Sequence, residues 1–213
     1  MSDLVLAFEL SGKTTTAALG DGSEIISHDF SGSRGRALLG AIDFLLQQKQ
    51  ISREHIGAVI VGVGPGSYTG LRIACSAAVT LAMALDIPSL GMNSFEAAAY
   101  MCDHDGPVHV LLDAYRNQVY HACFHRQGSA LVTLQQAQVI EKEEALERVS
   151  EGQCYLGDSR FAGSGSTLIG NSNATASALL ELAFARGLRA DGSGLESALP
   201  ASPLYLRPAA FRS

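Results

Sequence analysis

Apolar residues recur along this chain with two different periods. Residues 4–10 form a short, nearly unbroken apolar run, and residues 14–19 are of types suited to a pleated surface. Asp21-Gly22 signals a turn, after which residues 24–30 continue as a third extended segment. Three strands joined by tight turns predict an antiparallel meander. From Ser33 the period changes, and Leu38, Leu39, Ile42, Leu45 and Leu46 recur at helical spacing. Ala41 and Phe44 widen that apolar face beyond what one core contact needs. Residues 58–63 then read as a strand buried on both faces. Residues 71–85 predict a helix crowded with small side chains, among them Ala74, Cys75, Ala77, Ala78 and Ala82. A short strand over 87–91 and a helix opening at Ser94 complete the first half.

A polar break at residues 102–107 is the best boundary in the chain. Beyond it, residues 108–113, 118–124 and 130–139 are strand-like, residues 141–149 form a charged helix, and 154–156 a short strand. Residues 161–177, rich in Gly, Ser, Asn and Thr, read as a mobile loop. A helix over 178–187, a turn at 191–194 and a closing segment at 204–207 follow. A meander followed by alternating strands and helices argues an α/β fold with mixed sheets. The expected organisation is a first lobe over 1–103, completed by 195–213, and a smaller α/β lobe over 104–194.

Composition narrows the partners. Apolar residues make up 47% of the 213 and charged residues only 17%, which leaves room for a protein interface. The net charge of −6 opposes independent nucleic-acid binding, which rests on Lys and Arg displacing phosphate counterions. Cys75, Cys102, Cys123 and Cys154 form no C-x-x-C pair and read as reduced thiols packed as small hydrophobes. The first ten residues lack the basic start of a signal peptide, and no run approaches about 18 uninterrupted apolar residues. The expectation is a cytoplasmic chain with no membrane contact.

The chemistry-bearing motifs are few. "SGKT" at residues 11–14 resembles the end of a phosphate-binding loop, but Ala7 stands where that pattern needs glycine, and a strand follows instead of a helix. "GVGPGS" at 62–67 fails the dinucleotide fingerprint in both registers, and Pro65 removes an N–H from any phosphate cradle. Ser67 and Thr69 are placed to cap the following helix. No G-x-S-x-G elbow occurs. His121 and His125 lie on a strand, where four residues span roughly 13 Å, too far for one ion. Arg72, a cation in the first turn of a helix, opposes the helix dipole. It is either solvated or reaches toward an anion or a partner carboxylate.

"GPGSYTGLRIACSAA" at 64–78 resembles the G-P-G-S-[FY]-T-G-[LIV]-R-[IV] signature of the TsaB (YeaZ) family. That family is the dimerisation subunit in bacterial synthesis of threonylcarbamoyladenosine in tRNA, formerly labelled glycoprotease-like M22. "DIPSLGMNSFEAAA", "VLLDAYRNQVYHACF" and "PLYLRPAA" extend the resemblance over essentially the whole chain. It implies an actin-like (ASKHA, ribonuclease H-like) fold of two small lobes with mixed sheets flanked by helices. It also implies a non-catalytic scaffold or activator. Such a subunit binds TsaD as a heterodimer, with the ATPase TsaE docking on the pair, and self-associates when alone. The partner transfers threonylcarbamoyl to N6 of adenosine 37 in ANN-decoding tRNAs, so tRNA is met only indirectly. No cofactor is implied for the isolated chain; ATP and a metal belong to the partners. Two departures stand out: Glu9-Leu10-Ser11 replaces the usual Asp-Thr opening, and "SGSRGRALLG" lacks the histidine common in that region.

Packing logic and resemblance together put the partner surface on the loop and its helix, at Gly64, Pro65, Gly66, Ser67, Tyr68, Thr69, Gly70, Arg72, Cys75 and Ala78. Leu38, Ile42 and Leu45 supply its second half. The rival readings are an ATP-dependent small-molecule kinase or nucleotide hydrolase of the same fold, or a peptidase. The first needs a second phosphate loop and a G-G adenosine segment, for which only "GSGS" at 163–166 is available. The peptidase needs a nucleophile with a base, or a metal.

Overall fold

In the computed structural model, which describes residues 4–128 and 130–206, the opening meander forms as expected. Strand β1 (Leu4–Glu9) pairs antiparallel with β2 (Thr15–Gly20), and β2 with β3 (Ile25–Phe30). β4 (Ile56–Gly62) then joins the other side of β1 in parallel, with Val5 opposite Ala58 and Phe8 opposite Val61. Helix α1 (Arg34–Lys49) carries the crossover from β3 to β4. Helix α2 (Tyr68–Leu85) carries the next one, to β5 (Ser89–Met92), and helix α3 (Ser94–Tyr100) follows. Asn93 caps α3, its side chain accepting from Phe95 N at 2.8 Å.

The second sheet is built from β6 (Pro107–Asp113), β7 (Gln118–Gln127), β8 (Ala130–Glu141), β9 (Cys154–Gly157) and β10 (Thr167–Gly170), in the order β10-β9-β6-β7-β8. Helix α4 (Lys142–Arg148) links β8 to β9 and covers one face. Helix α5 (Ala176–Ala185) and the two-residue strand β11 (Leu199–Pro200) complete the fold. β11 pairs antiparallel with β5 at the edge of the first sheet, whose order is β11-β5-β4-β1-β2-β3.

Alternation along β1 and β4 divides the core in two. Leu6, Phe8, Val59 and Val61 face α1 and α2, whereas Val5, Ala7, Ala58 and Ile60 face α3 and α5. The second group is continuous with Val108, Val110, Ala122, Phe124 and Leu156, so α3 and α5 lie between the sheets.

Two expectations are corrected. Residues 161–177 are not all loop: Thr167–Gly170 pairs parallel with β9, and Ser159–Phe161 forms a single 3-10 turn. α5 falls in the span assigned to the second lobe but packs on the first sheet, where Ala176 N donates to Thr16 Oγ1 at 2.7 Å. The closing segment returns to the first sheet, where Leu204 N donates to Val63 O at 2.8 Å; Arg207 lies outside the described residues.

Candidate functional site

The glycine loop runs from the end of β4 to the start of α2, and what approaches it is this chain's own β1–β2 turn. Gly62 lies against the Glu9 carboxylate, which a Cβ at Gly62 would overlap. Glu9 is fully buried and accepts from Ser11 N and from Ser94 Oγ, both at 2.6 Å. Ser94 Oγ in turn accepts from Gly64 N at 3.1 Å. Burial pushes the Glu9 carboxyl up from its ordinary range, and the Ser11 and Ser94 hydrogen bonds oppose that rise. A Cβ at Gly66 would stand 2.5 Å from Ser11 O, and one at Gly70 would overlap Leu10 O. The left-handed φ of 102° at Gly64 adds a backbone reason for glycine there.

Several of the loop's donors are spent internally. Ser67 N donates to Ser11 O at 2.7 Å, and Gly70 N to the capping Ser67 Oγ at 3.3 Å. A phosphate cradle needs such N–H groups free and converging on the ligand.

The site expectation therefore shifts by one face. Gly64, Pro65 and Gly70 are buried against their own chain, and Gly66 and Ser67 are partly covered. Leu38, Ile42, Leu45, Cys75 and Ala78 turn inward to the core with Phe8 and Val61, so they form no outer surface. Their small or branched side chains let α1 and α2 sit close on the sheet. Tyr68, Thr69 and Arg72 do face outward. Beside them the same helices expose Leu39 (56% exposed) and Phe44, both counted above in the widened apolar face of α1, and Val79 and Met83 (79% exposed), which the sequence reasoning passed over. Tyr68, Arg72, Val79 and Met83 follow one another at three- to four-residue and longer helical steps along one stripe of α2. That spacing was the available signal.

Among the described residues Arg72 meets no carboxylate. Its Nη1 donates to Tyr68 Oη at 2.9 Å, and its guanidinium lies 5.4 Å from the Tyr68 ring centroid. Tyr205 stacks on Tyr68 at 5.1 Å, so the segment after β11 covers the start of the stripe. By length and composition α2 is also apolar enough to cross a membrane, but its inner face is part of the core.

A cleft of about 800 Å³ lies between the lobes, beside the loop. Lys13 and Arg34 enter it from the first lobe, and Tyr115, Asp158 and Arg160 from the second. Arg34 is engaged with Ser67 Oγ at 3.0 Å, and Arg160 with Asp158 at 2.7 Å and Asp113 at 3.6 Å. "SGKT" is the turn between β1 and β2, where Gly12 lies against Asn173. Tyr115, Arg116 and Asn117 all take left-handed backbone angles at the β6–β7 turn on the cleft rim. Among the described residues no group of His, Cys, Asp or Glu side chains could hold a metal. The four cysteines are free thiols.

Residues 31–189 match the model of the family described as TsaD, tRNA N6-adenosine threonylcarbamoyltransferase. The chain is 34% identical over 112 residues to the tRNA threonylcarbamoyladenosine biosynthesis protein TsaB of Bacillus subtilis, a match covering 52% of this chain and 49% of that protein. The chain thus spans about half the length of that relative. A TsaB from Buchnera aphidicola is 24% identical over 167 residues, covering 74% of this chain and 80% of that one. Among solved structures, an uncharacterized Pseudomonas aeruginosa protein with similarity to peptidase YeaZ superposes with a TM-score of 0.78 at 25% identity, over 97% of this chain and all of that one. YeaZ from the same organism gives 0.76 at 25% identity, over 96% of this chain and all of that one.

Proposed function

Because the chain belongs to the TsaB/YeaZ branch of the glycoprotease-like family that the TsaD model describes, with the actin-like fold of that group, we propose that it is a non-catalytic subunit in the synthesis of threonylcarbamoyladenosine in tRNA. It acts by docking TsaD on the outer face of α1 and α2. TsaE joins the pair, and tRNA is reached through those partners in the cytoplasm. The observation that carries this reading is the outward stripe of Leu39, Val79 and Met83, apolar side chains left in solvent on helices whose inner faces are already satisfied. The internal filling of the glycine loop supports the absence of phosphoryl chemistry there.

Val79→Glu with Met83→Glu tests it, because both positions are outward and neither change disturbs the core. The double variant should keep its thermal unfolding midpoint and bind TsaD at least about ten-fold more weakly in a size-exclusion and light-scattering titration, the penalty expected for charge in an interface core. Undiminished binding by the folded variant would remove α2 from the interface. Gly70→Trp, by contrast, would collide with Leu10 and report only on folding. The cleft between the lobes favours one second reading, a nucleotide-handling enzyme. Stoichiometric ATP binding by the isolated chain, with no complex formed with TsaD, would select it.

A further inference from the structure

Beneath α4 the second lobe buries two imidazoles in contact. His109 on β6 and His121 on β7 project to the same side of the sheet, with His109 Nδ1 and His121 Nε2 2.8 Å apart and the ring centroids 5.2 Å apart. His109 Nε2 lies 3.1 Å from Oε1 of Gln153, in the segment between α4 and β9. His121 is 0% exposed, and its Nδ1 has no hydrogen-bond partner among the described residues.

Counting protons shows what the arrangement tolerates. A neutral pair has four ring nitrogens and two protons, one of which must lie in the shared N–H···N bond. With Gln153 accepting, the second proton is on His109 Nε2. His121 then donates from Nε2 and keeps a bare lone pair at Nδ1. A third proton has one place to go, His121 Nδ1, where nothing accepts it. It would also create a cation inside the lobe. Among the described residues the groups facing it offer no compensation: Cys123 on β7, Tyr155 on β9 and Gln138 on β8 are uncharged, and α4 presents the cation Arg148, already paired with Glu144. Burial pushes the Cys123 thiol up, keeping it neutral.

A metal is not the missing partner. Cys123 Sγ sits 3.9 Å from His109 Nε2, whereas His121 meets the opposite nitrogen of that ring, so the three side chains do not converge. The element above the pair is weakly held. α4 is seven residues long, Ala145 is its one fully buried side chain, and its cluster is separate from the core between the sheets.

We propose that the His109–His121 pair is an acid-operated latch: a third proton on the pair frees α4 and the Gln153 segment from the second sheet while the first lobe keeps its fold. Burial, the neighbouring imidazole and Arg148 hold His121 down to about 3, and burial also lowers His109, so the fold resists that proton as the pH falls.

Hydrogen exchange on the full chain tests this at about pH 7.5 and about pH 4.5, corrected for intrinsic rates. Protection over Lys142–Arg148 should fall roughly ten-fold or more in acid, with β4 unchanged. His121→Leu should sharply reduce that acid response, leaving only the part that the buried His109 contributes. A second readout needs no variant: in an NMR titration of the natural chain, the two buried imidazoles should take up a proton at the pH where the α4 amides move. Unchanged α4 protection, an equal response in folded His121→Leu, or imidazoles that charge while α4 stays still would each overturn the latch.

Discussion

Glu9 and Gly62 define each other. A longer acid at the end of β1 fills the space at β4 where any other residue would carry its Cβ, so glycine at 62 is a steric requirement. Gly62→Ala should destabilise the chain by about 3 kcal/mol or more, since the carboxylate cannot move without breaking its bonds to Ser11 and Ser94. Gly40, exposed within α1 with nothing within 4 Å of a built Cβ, is the control. Gly40→Ala should instead stabilise by about 0.5–1 kcal/mol. Urea unfolding of the two variants checks both signs. Glu9 also sets a pH dependence. Its folded-state pKa is raised, so the fold favours the protonated acid, and that preference is fully present below the unfolded value of 4.5. It is lost as the pH rises through the folded value. Glu9→Gln should flatten stability across that window; an unaltered slope in unfolding curves at several pH values would assign it elsewhere.

At the scale of elements, the meander, both crossover helices and the long strands were legible because their hydrophobic periods are long and clean. β10 and β11 were not, being four and two residues at sheet edges, held by pairing partners distant in the sequence. The faces of α1 and α2 were misjudged for a different reason. α2 is apolar or small nearly all round, so periodicity names no inner side. On α1, Leu38 and Leu39 are adjacent in sequence, yet one is buried and the other is 56% exposed. The loop's partners were equally hidden: Leu10 and Ser11 precede Gly70 and Gly66 by more than fifty positions, and only the sheet brings them together. α5 has its own tether. Thr16→Val preserves shape on β2 but leaves the buried Ala176 N–H without its acceptor, which should cost about 2 kcal/mol in thermal unfolding. A loss below a few tenths would show that α5 is held by packing alone.

Across the whole molecule, the two lobes respond to protons in opposite directions. The buried imidazoles, with folded values below the unfolded 6.5, contribute stability fully above that pH, and it is lost as the pH falls toward about 3. Glu9 opposes them from the first lobe, favouring the acid side. Chain order adds a second asymmetry. The strands of the second sheet all lie between residues 107 and 170, whereas the first sheet waits for α5 to cover Val5, Ala7, Ala58 and Ile60, and for β11 to close its edge. During synthesis the first lobe therefore starts first and finishes last. A nascent chain with residue 170 just outside the ribosome can close its second lobe while the first still presents an open apolar sheet, the kind of surface that chaperones hold and that aggregates when they do not.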